Sequence, residues 1–142
     1  MKILQVLPAL EQGGVERGTL EIASALVQAG VPNAVASSGG RLEAELEALG
    51  VEHIRLNLAT KNPFAIRRNG SALAEIVRKG GFTLMHVRSR APAWSVRRAS
   101  RLSGVFRKAP VLVPCQVAEH FAVIQIVSVD NRIGAGQILL AA

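Results

Sequence analysis

An α/β fold built on a doubly wound parallel sheet is predicted by three observations. Short apolar runs alternate with longer amphipathic segments, giving five strands and four helices within about the first 113 residues. The loops between them span only a few residues and are punctuated by glycine or proline. The 142-residue chain is 49% apolar and 19% charged, which suits one packed core and is too hydrophobic for disorder. Strands that alternate with helices pair in parallel through right-handed crossovers, so a Rossmann-like sheet is the economical arrangement.

The elements follow in order. Lys2–Leu7 is a short buried strand ended by Pro8, and Gln12-Gly13-Gly14 breaks the pattern. Val15–Gln28 reads as a helix with Val15, Ile22, Leu26 and Ala29 on its apolar stripe and Gly30 as its stop. Asn33–Ser37 is a second strand closed by Ser37-Ser38-Gly39-Gly40. Arg41–Leu49 is a compact helix with Leu42, Leu46 and Leu49 on one face, and His53–Leu56 is a third strand. Asn62-Pro63 opens the next helix as cap and first helical residue. That helix, Pro63–Lys79, is predicted to bury Phe64, Ile66, Leu73, Ile76 and Val77. Gly80-Gly81 ends it, Phe82–Val87 is a fourth strand, Arg90–Ser103 a basic helix stopped by Gly104, and Pro110–Val113 a fifth strand. From Val117 the pattern changes: Phe121–Val129 is rich in β-branched residues and no helical pattern follows it.

Composition narrows the chemistry. One cysteine, Cys115, excludes an intramolecular disulfide and a cysteine-based zinc cluster, and His53, His86 and His120 lack metal-ligand spacing. No metal or cofactor is expected. Aromatic residues make up 4% of the chain, with no tyrosine, which argues against a base-stacking platform. No uncharged apolar run is long enough to cross a membrane, and the N-terminus is not a convincing signal peptide, so the cytoplasm is expected. The net charge of +7 is unevenly spread: residues 1–60 hold 4 basic and 7 acidic side chains, residues 61–108 hold 12 and 1. Such a basic block attracts phosphate, whether on nucleic acid, an anionic membrane or a small molecule, and is equally the pattern of a solvated helical face.

Ligands of open parallel sheets bind at the carboxyl ends of the strands, near the switch point. Gly13-Gly14 falls there, between the first strand and first helix. Two glycines let backbone amides approach an anion, and a helix N-terminus favours one. The spacing is G-G-x-x-x-G, so it is neither a dinucleotide fingerprint nor a P-loop, and the pair alone reads more simply as a tight strand-to-helix turn. Ser37-Ser38-Gly39-Gly40 reads more simply as a turn. His86-Val87-Arg88-Ser89-Arg90 ends the fourth strand, where alternation puts His86 and Arg88 on one face. A histidine there is as often a packed residue as a functional one.

The segments M-K-I-L-Q-V-L-P-A-L-E-Q-G-G-V-E-R, E-I-A-S-A-L-V-Q-A-G and F-T-L-M-H-V-R-S-R-A-P-A-W-S together resemble the N-terminal domain of family 4 glycosyltransferases, over about residues 1–113. The resemblance implies the two-Rossmann-domain GT-B architecture. It implies an acceptor-binding N-terminal half, a nucleotide-sugar donor bound by the C-terminal half, and transfer in the cleft without a metal. Acceptors would be lipid-linked or of the lipopolysaccharide type, implying lipopolysaccharide biosynthesis. By position, Gly13 and Gly14 would face the donor diphosphate, while His86, Arg88 and Ser89 would line the cleft.

There are departures from the family pattern. Its cleft histidine after the fifth strand, followed by glycine, is here Gln116 followed by Val117. The expected division is therefore an acceptor-side domain over residues 1–116 and a divergent hydrophobic tail over 117–142, as a truncated or frame-disrupted version of a longer gene would give. The expectation is an acceptor-binding domain inactive without a donor domain from a separate chain, with docking at the inner face of an anionic membrane. The alternative is a non-catalytic anion-binding scaffold. A nucleic-acid module is the weakest reading, for want of aromatics and of a recognition motif.

Overall fold

The computed structural model describes residues 1–103 in full and, of the remainder, the backbone of strands at 111–115, 123–127 and 137–138. In chain order the elements are β1 (Ile3–Val6), α1 (Gly14–Gln28), β2 (Asn33–Ser37), α2 (Glu43–Ala48), β3 (Glu52–Arg55), α3 (Pro63–Gly80), β4 (Leu84–Val87), α4 (Arg90–Ser103), β5 (Val111–Cys115), β6 (Val123–Val127) and β7 (Gln137–Ile138). The sheet runs β3-β2-β1-β4-β5-β6-β7. β1 to β5 are mutually parallel, and β6 and β7 extend the edge in antiparallel fashion. The chain winds outward from β1 to β3, then returns to β4 on the other side of β1. The switch point therefore lies between β1 and β4, where Gln5 stands beside His86 and Val6 beside Val87. Gln116, the proposed stop at Gly104 and most of the tail from 117 lie outside the described residues.

Each face of the sheet is covered by two helices, which is why the central strands are mostly apolar on both faces. On one side Leu4, Val6, Ala34, Ala36, Met85 and Val87 meet α3 and α4 through Leu73, Ala74, Val77, Val96 and Ala99. On the other, Leu7 and Val35 join Leu20 and Ala23 of α1 and Leu46 of α2. Glycines at φ 67, 73 and 65 (Gly30, Gly50 and Gly81) end or follow α1, α2 and α3, a left-handed backbone that side chains resist. Asn62 caps α3, its Oδ1 accepting from the amides of Phe64 and Ala65 at 2.9 and 3.5 Å.

Two helices differ from expectation. α1 buries Thr19, Leu20 and Ala23, while Val15, Ile22 and Leu26 are half-buried and Ala29 is exposed. Polar anchors set this phase: Gln5 Nε2 donates to Thr19 O at 3.2 Å, and Arg88 Nη2 to Val15 O at 3.4 Å. In α3, Phe64 is not part of the buried stripe but is 83% exposed. Leu73 lies nine residues further on, about half a revolution around the helix, so a helix facing the core with Leu73 must turn Phe64 outward.

Candidate functional site at the carboxyl edge of the sheet

The two segments that carry the sequence argument meet at the switch point. Gly13 is the N-cap of α1, in extended conformation with no side-chain capping bond, and Gly14 is its first helical residue. Both are exposed, and a Cβ placed on Gly14 would meet open space. The first intrahelical bond runs from the Arg17 amide to Gly13 O at 3.0 Å. The preceding amides belong to the turn that α1 leaves without internal partners, so the helix offers donors and a partial positive charge toward the strand ends. Glu16 in the first turn moderates that charge.

His86 and Arg88 come from β4 and the residue after it. His86 is 6% exposed, lies beside Gln5 across the β1–β4 pair, and its Nε2 has no hydrogen-bond partner. Burial, and then the neighbouring Arg88 charge, push its pKa down to about 4, so the ring is neutral at physiological pH. The Arg88 guanidinium lies across the first turns of α1, bonded to Val15 O and pressed against Gly18, where a Cβ would come within 2.6 Å of Nη2. Burial lowers the Arg88 pKa and the Glu21 carboxylate partly opposes it, leaving a cation. Arg88 Nε and Gln5 Oε1 are also buried without partners. Gln5 and Arg88 both reach the α1 backbone, and His86 lies beside Gln5 across the β1–β4 pair. Ser89 is half-buried immediately before α4.

Ser37-Ser38-Gly39-Gly40 is a structural turn. Ser38 Oγ donates to Pro8 O at 2.7 Å, the Gly39 amide donates to Ser37 Oγ at 3.1 Å, and the Gly40 amide to Glu43 Oε1 at 2.7 Å. Ser37 Oγ and His53 Nε2 lie 2.8 Å apart, with His53 Nδ1 3.6 Å from Glu43 Oε2, an order reminiscent of a nucleophile, base and orienting acid. Ser37 is fully buried, however, so no substrate reaches it and the cluster ties β2, α2 and β3 together. The Gly40 amide, first, and Arg55 hold the Glu43 carboxyl below its usual range.

The sequence reading missed Gln5, Gly18, His53 and Glu43. Gln5 carried a signal, as the one polar residue inside I-L-Q-V, and Gly18 closes the G-G-x-x-x-G spacing. Among the described residues, no group of three or more His, Cys, Asp or Glu side chains could hold a metal ion, and no helix is long and apolar enough to cross a membrane.

An open α/β sheet with a helix N-terminus and a half-buried arginine at its switch point defines a Rossmann-like domain. The family model for Glycosyltransferase Family 4 matches residues 12–115, and the chain belongs to that family. Among solved structures it is similar to a glycosyltransferase from Rickettsia africae ESF-5, at 47% identity and a TM-score of 0.64 over 70% of this chain and 26% of that one. It shares its fold with MurG of Acinetobacter baumannii (15% identity, TM-score 0.62, 83% of this chain and 36% of that one). A lipopolysaccharide outer core galactosyltransferase, WaaB, is similar at 11% identity and a TM-score of 0.62, over 80% of this chain and 32% of that one. The chain thus aligns with between about a quarter and about a third of these proteins' length. No curated protein matches it. The fold is the Rossmann-like half found in GT-B glycosyltransferases.

Proposed function

We propose that this chain forms the acceptor-side wall of a glycosyltransferase that moves a sugar from a nucleotide-sugar onto a glycan or glycolipid of the lipid-linked or lipopolysaccharide type. The observation that carries this reading is the convergence of the α1 N-terminus, the Arg88 guanidinium and the orphaned His86 Nε2 at the switch point. Transfer breaks the bond between the anomeric carbon and the diphosphate oxygen, so negative charge grows on the leaving group. Amides at Gly13 and Gly14 and the α1 dipole favour that charge, with Arg88 alongside. His86, Arg88 and Ser89 line the cleft. A neutral, buried His86 orients a polar group and holds little proton at physiological pH. The nucleotide is held by a donor domain on the opposite wall, which a separate chain can supply. A glycolipid acceptor places the reaction at the cytoplasmic face of a membrane.

The burial of His86 favours a second reading, a non-catalytic anion-binding scaffold, because a side chain 6% exposed offers little to an acceptor. Purified chain incubated with nucleotide-sugars and phosphorylated lipid acceptors separates the two, nucleotide release being followed with and without an added family 4 donor domain. The transferase reading expects no release from the chain alone and transfer when both walls are present. Arg88→Met then lowers transfer about a hundredfold, as removal of a charge-stabilising donor does. Anion binding with no transfer in the mixture supports the scaffold. Turnover by the chain alone that disappears in Gly14→Leu overturns the two-wall account.

A further inference from the structure

The turn after β2 carries the stretch of chain that leads into the α1 N-terminus. Ser38 N and Oγ both donate to Pro8 O, at 3.0 and 2.7 Å. The Leu10 amide donates to Gly39 O, and Leu10 O accepts from the Leu42 amide, each at 2.9 Å. Arg41 Nη1 reaches Gln12 Oε1 at 3.4 Å, and past the glycines Arg17 pairs with Glu45 at 3.0 Å. Pro8, Leu10, Gln12 and Arg17 thus bracket Gly13-Gly14 with contacts on both sides. The two segments touch backbone to backbone: a Cβ on Gly40 would come within 2.5 Å of Leu10.

One carboxylate holds that turn in shape. Glu43 Oε1 accepts from the Gly40 amide at 2.7 Å, while the Glu43 amide donates to Gly40 O at 3.2 Å, a reciprocal closure. Glu43 Oε2 meets Arg55 at 2.5 Å and lies 3.6 Å from His53 Nδ1. The other ring nitrogen of His53 pairs with Ser37 Oγ, which also takes the Gly39 amide. We infer that Glu43 is a positioning residue for the α1 N-terminus. By locking the β2–α2 turn it fixes residues 8–12, and so where the Gly13 and Gly14 amides stand. That these amides meet a diphosphate rests on the transferase reading; their placement does not. The competing account is a capping carboxylate that contributes to stability alone. Charge and placement oppose one another here. Removing a carboxylate relieves its repulsion of an anion, whereas releasing the turn misplaces the donors. The sign of the change therefore separates the two effects.

The full chain is compared with Glu43→Ala, Glu43→Gln and Asn62→Ala, the last a loss of the α3 cap far from this turn. Glutamine keeps an oxygen for the Gly40 amide without the charge, and alanine lacks both. Amide shifts and hydrogen exchange are read by NMR, and binding of inorganic pyrophosphate by calorimetry, where every variant is folded. Glu43→Ala should lower protection of the Leu10 and Leu42 amides about tenfold and move the Gly13 and Gly14 resonances. Glu43→Gln should retain most of that protection, and Asn62→Ala should leave both glycine resonances in place. Pyrophosphate should bind about fivefold more weakly to Glu43→Ala than to Glu43→Gln. Glu43→Asp keeps the charge but falls one methylene short of the Gly40 amide, so it moves the glycine resonances in the same direction even if alanine prevents folding. Glycine resonances that stay put in these variants, or move equally in Asn62→Ala, overturn the inference. So does equal tightening of pyrophosphate in Glu43→Ala and Glu43→Gln, the mark of charge alone. A parent chain that binds no pyrophosphate counts against the phosphate reading, and the glycine resonances then decide the positioning role by themselves.

Discussion

Replacing His86 by leucine removes a titrating side chain that the fold holds neutral, and the pH dependence of stability isolates its effect. The ring is 6% exposed, and burial with the Arg88 charge lowers its pKa from 6.5 to about 4. The folded chain therefore binds less proton than the unfolded chain between these values. Stability is fully present above about 6.5 and is lost as pH falls toward about 4, where the folded ring begins to charge. At about 1.4 kcal/mol per pH unit, the loss integrates to about 3 kcal/mol. That is a large share of the roughly 5–15 kcal/mol that holds a domain together. Urea unfolding is measured for the parent and for His86→Leu at a series of pH values across this range. Glu43 and Glu75, whose pKa values are also lowered, lose their contribution on acidification in both proteins and cancel in the difference. The difference should move by about 3 kcal/mol in favour of the leucine variant as pH falls. A flat difference would show that His86 is solvated. A difference of opposite sign would mean that it carries a charge paired with an acid.

Three further substitutions probe particular contacts. Gly18→Ala should leave stability unchanged or raise it by up to about 1 kcal/mol through helix propensity. It should nevertheless weaken phosphate or nucleotide-sugar binding, because its Cβ displaces the flexible end of Arg88; calorimetric titration beside thermal melts separates the effects. Gly40→Ala should cost about 2 kcal/mol or more, read by urea unfolding, since φ is 153° and the new Cβ would meet Leu10 backbone at 2.5 Å. Asn62→Ala should cost about 1 kcal/mol in the same assay by removing the α3 cap, with Asn62→Asp retaining most of it.

The architecture was legible because the punctuation and the pattern agree. Gly30 and Gly81 mark helix ends in the sequence and adopt positive φ in the structure, and the central strands are mostly apolar because helices cover both faces. Half of the switch-point arrangement was also legible, since Gly13-Gly14 and His86-Val87-Arg88 needed only strand-end placement to be brought to one edge. How Arg88 reaches α1 was not. That contact depends on Gly18 leaving room one helical turn in from the cap, a long-range fit with no local sequence signature. The phase of α1 failed for a related reason: its apolar residues suggest one stripe, while Gln5 and Arg88 bond to its backbone and fix another.

Phe64 is the more instructive discrepancy. An apolar residue in an amphipathic helix is readily assigned to the core, but about 100° of rotation per residue sets it opposite Leu73, among Arg67 and Arg68. An exposed phenylalanine in that position contributes nothing to the core that formed beneath it. Gln5 is its mirror image, a polar residue on a strand whose other neighbours are aliphatic, with one amide atom left unpartnered. Each breaks the local rule in the direction that costs folding free energy, by exposed ring surface in one case and an unsatisfied buried oxygen in the other. Local rules fail most usefully where function asks for something else. Gln5 lies beside His86 at the edge on which the transfer proposal rests, and Phe64 stands on the outer face of α3, so the one exception has a proposed use that the other lacks.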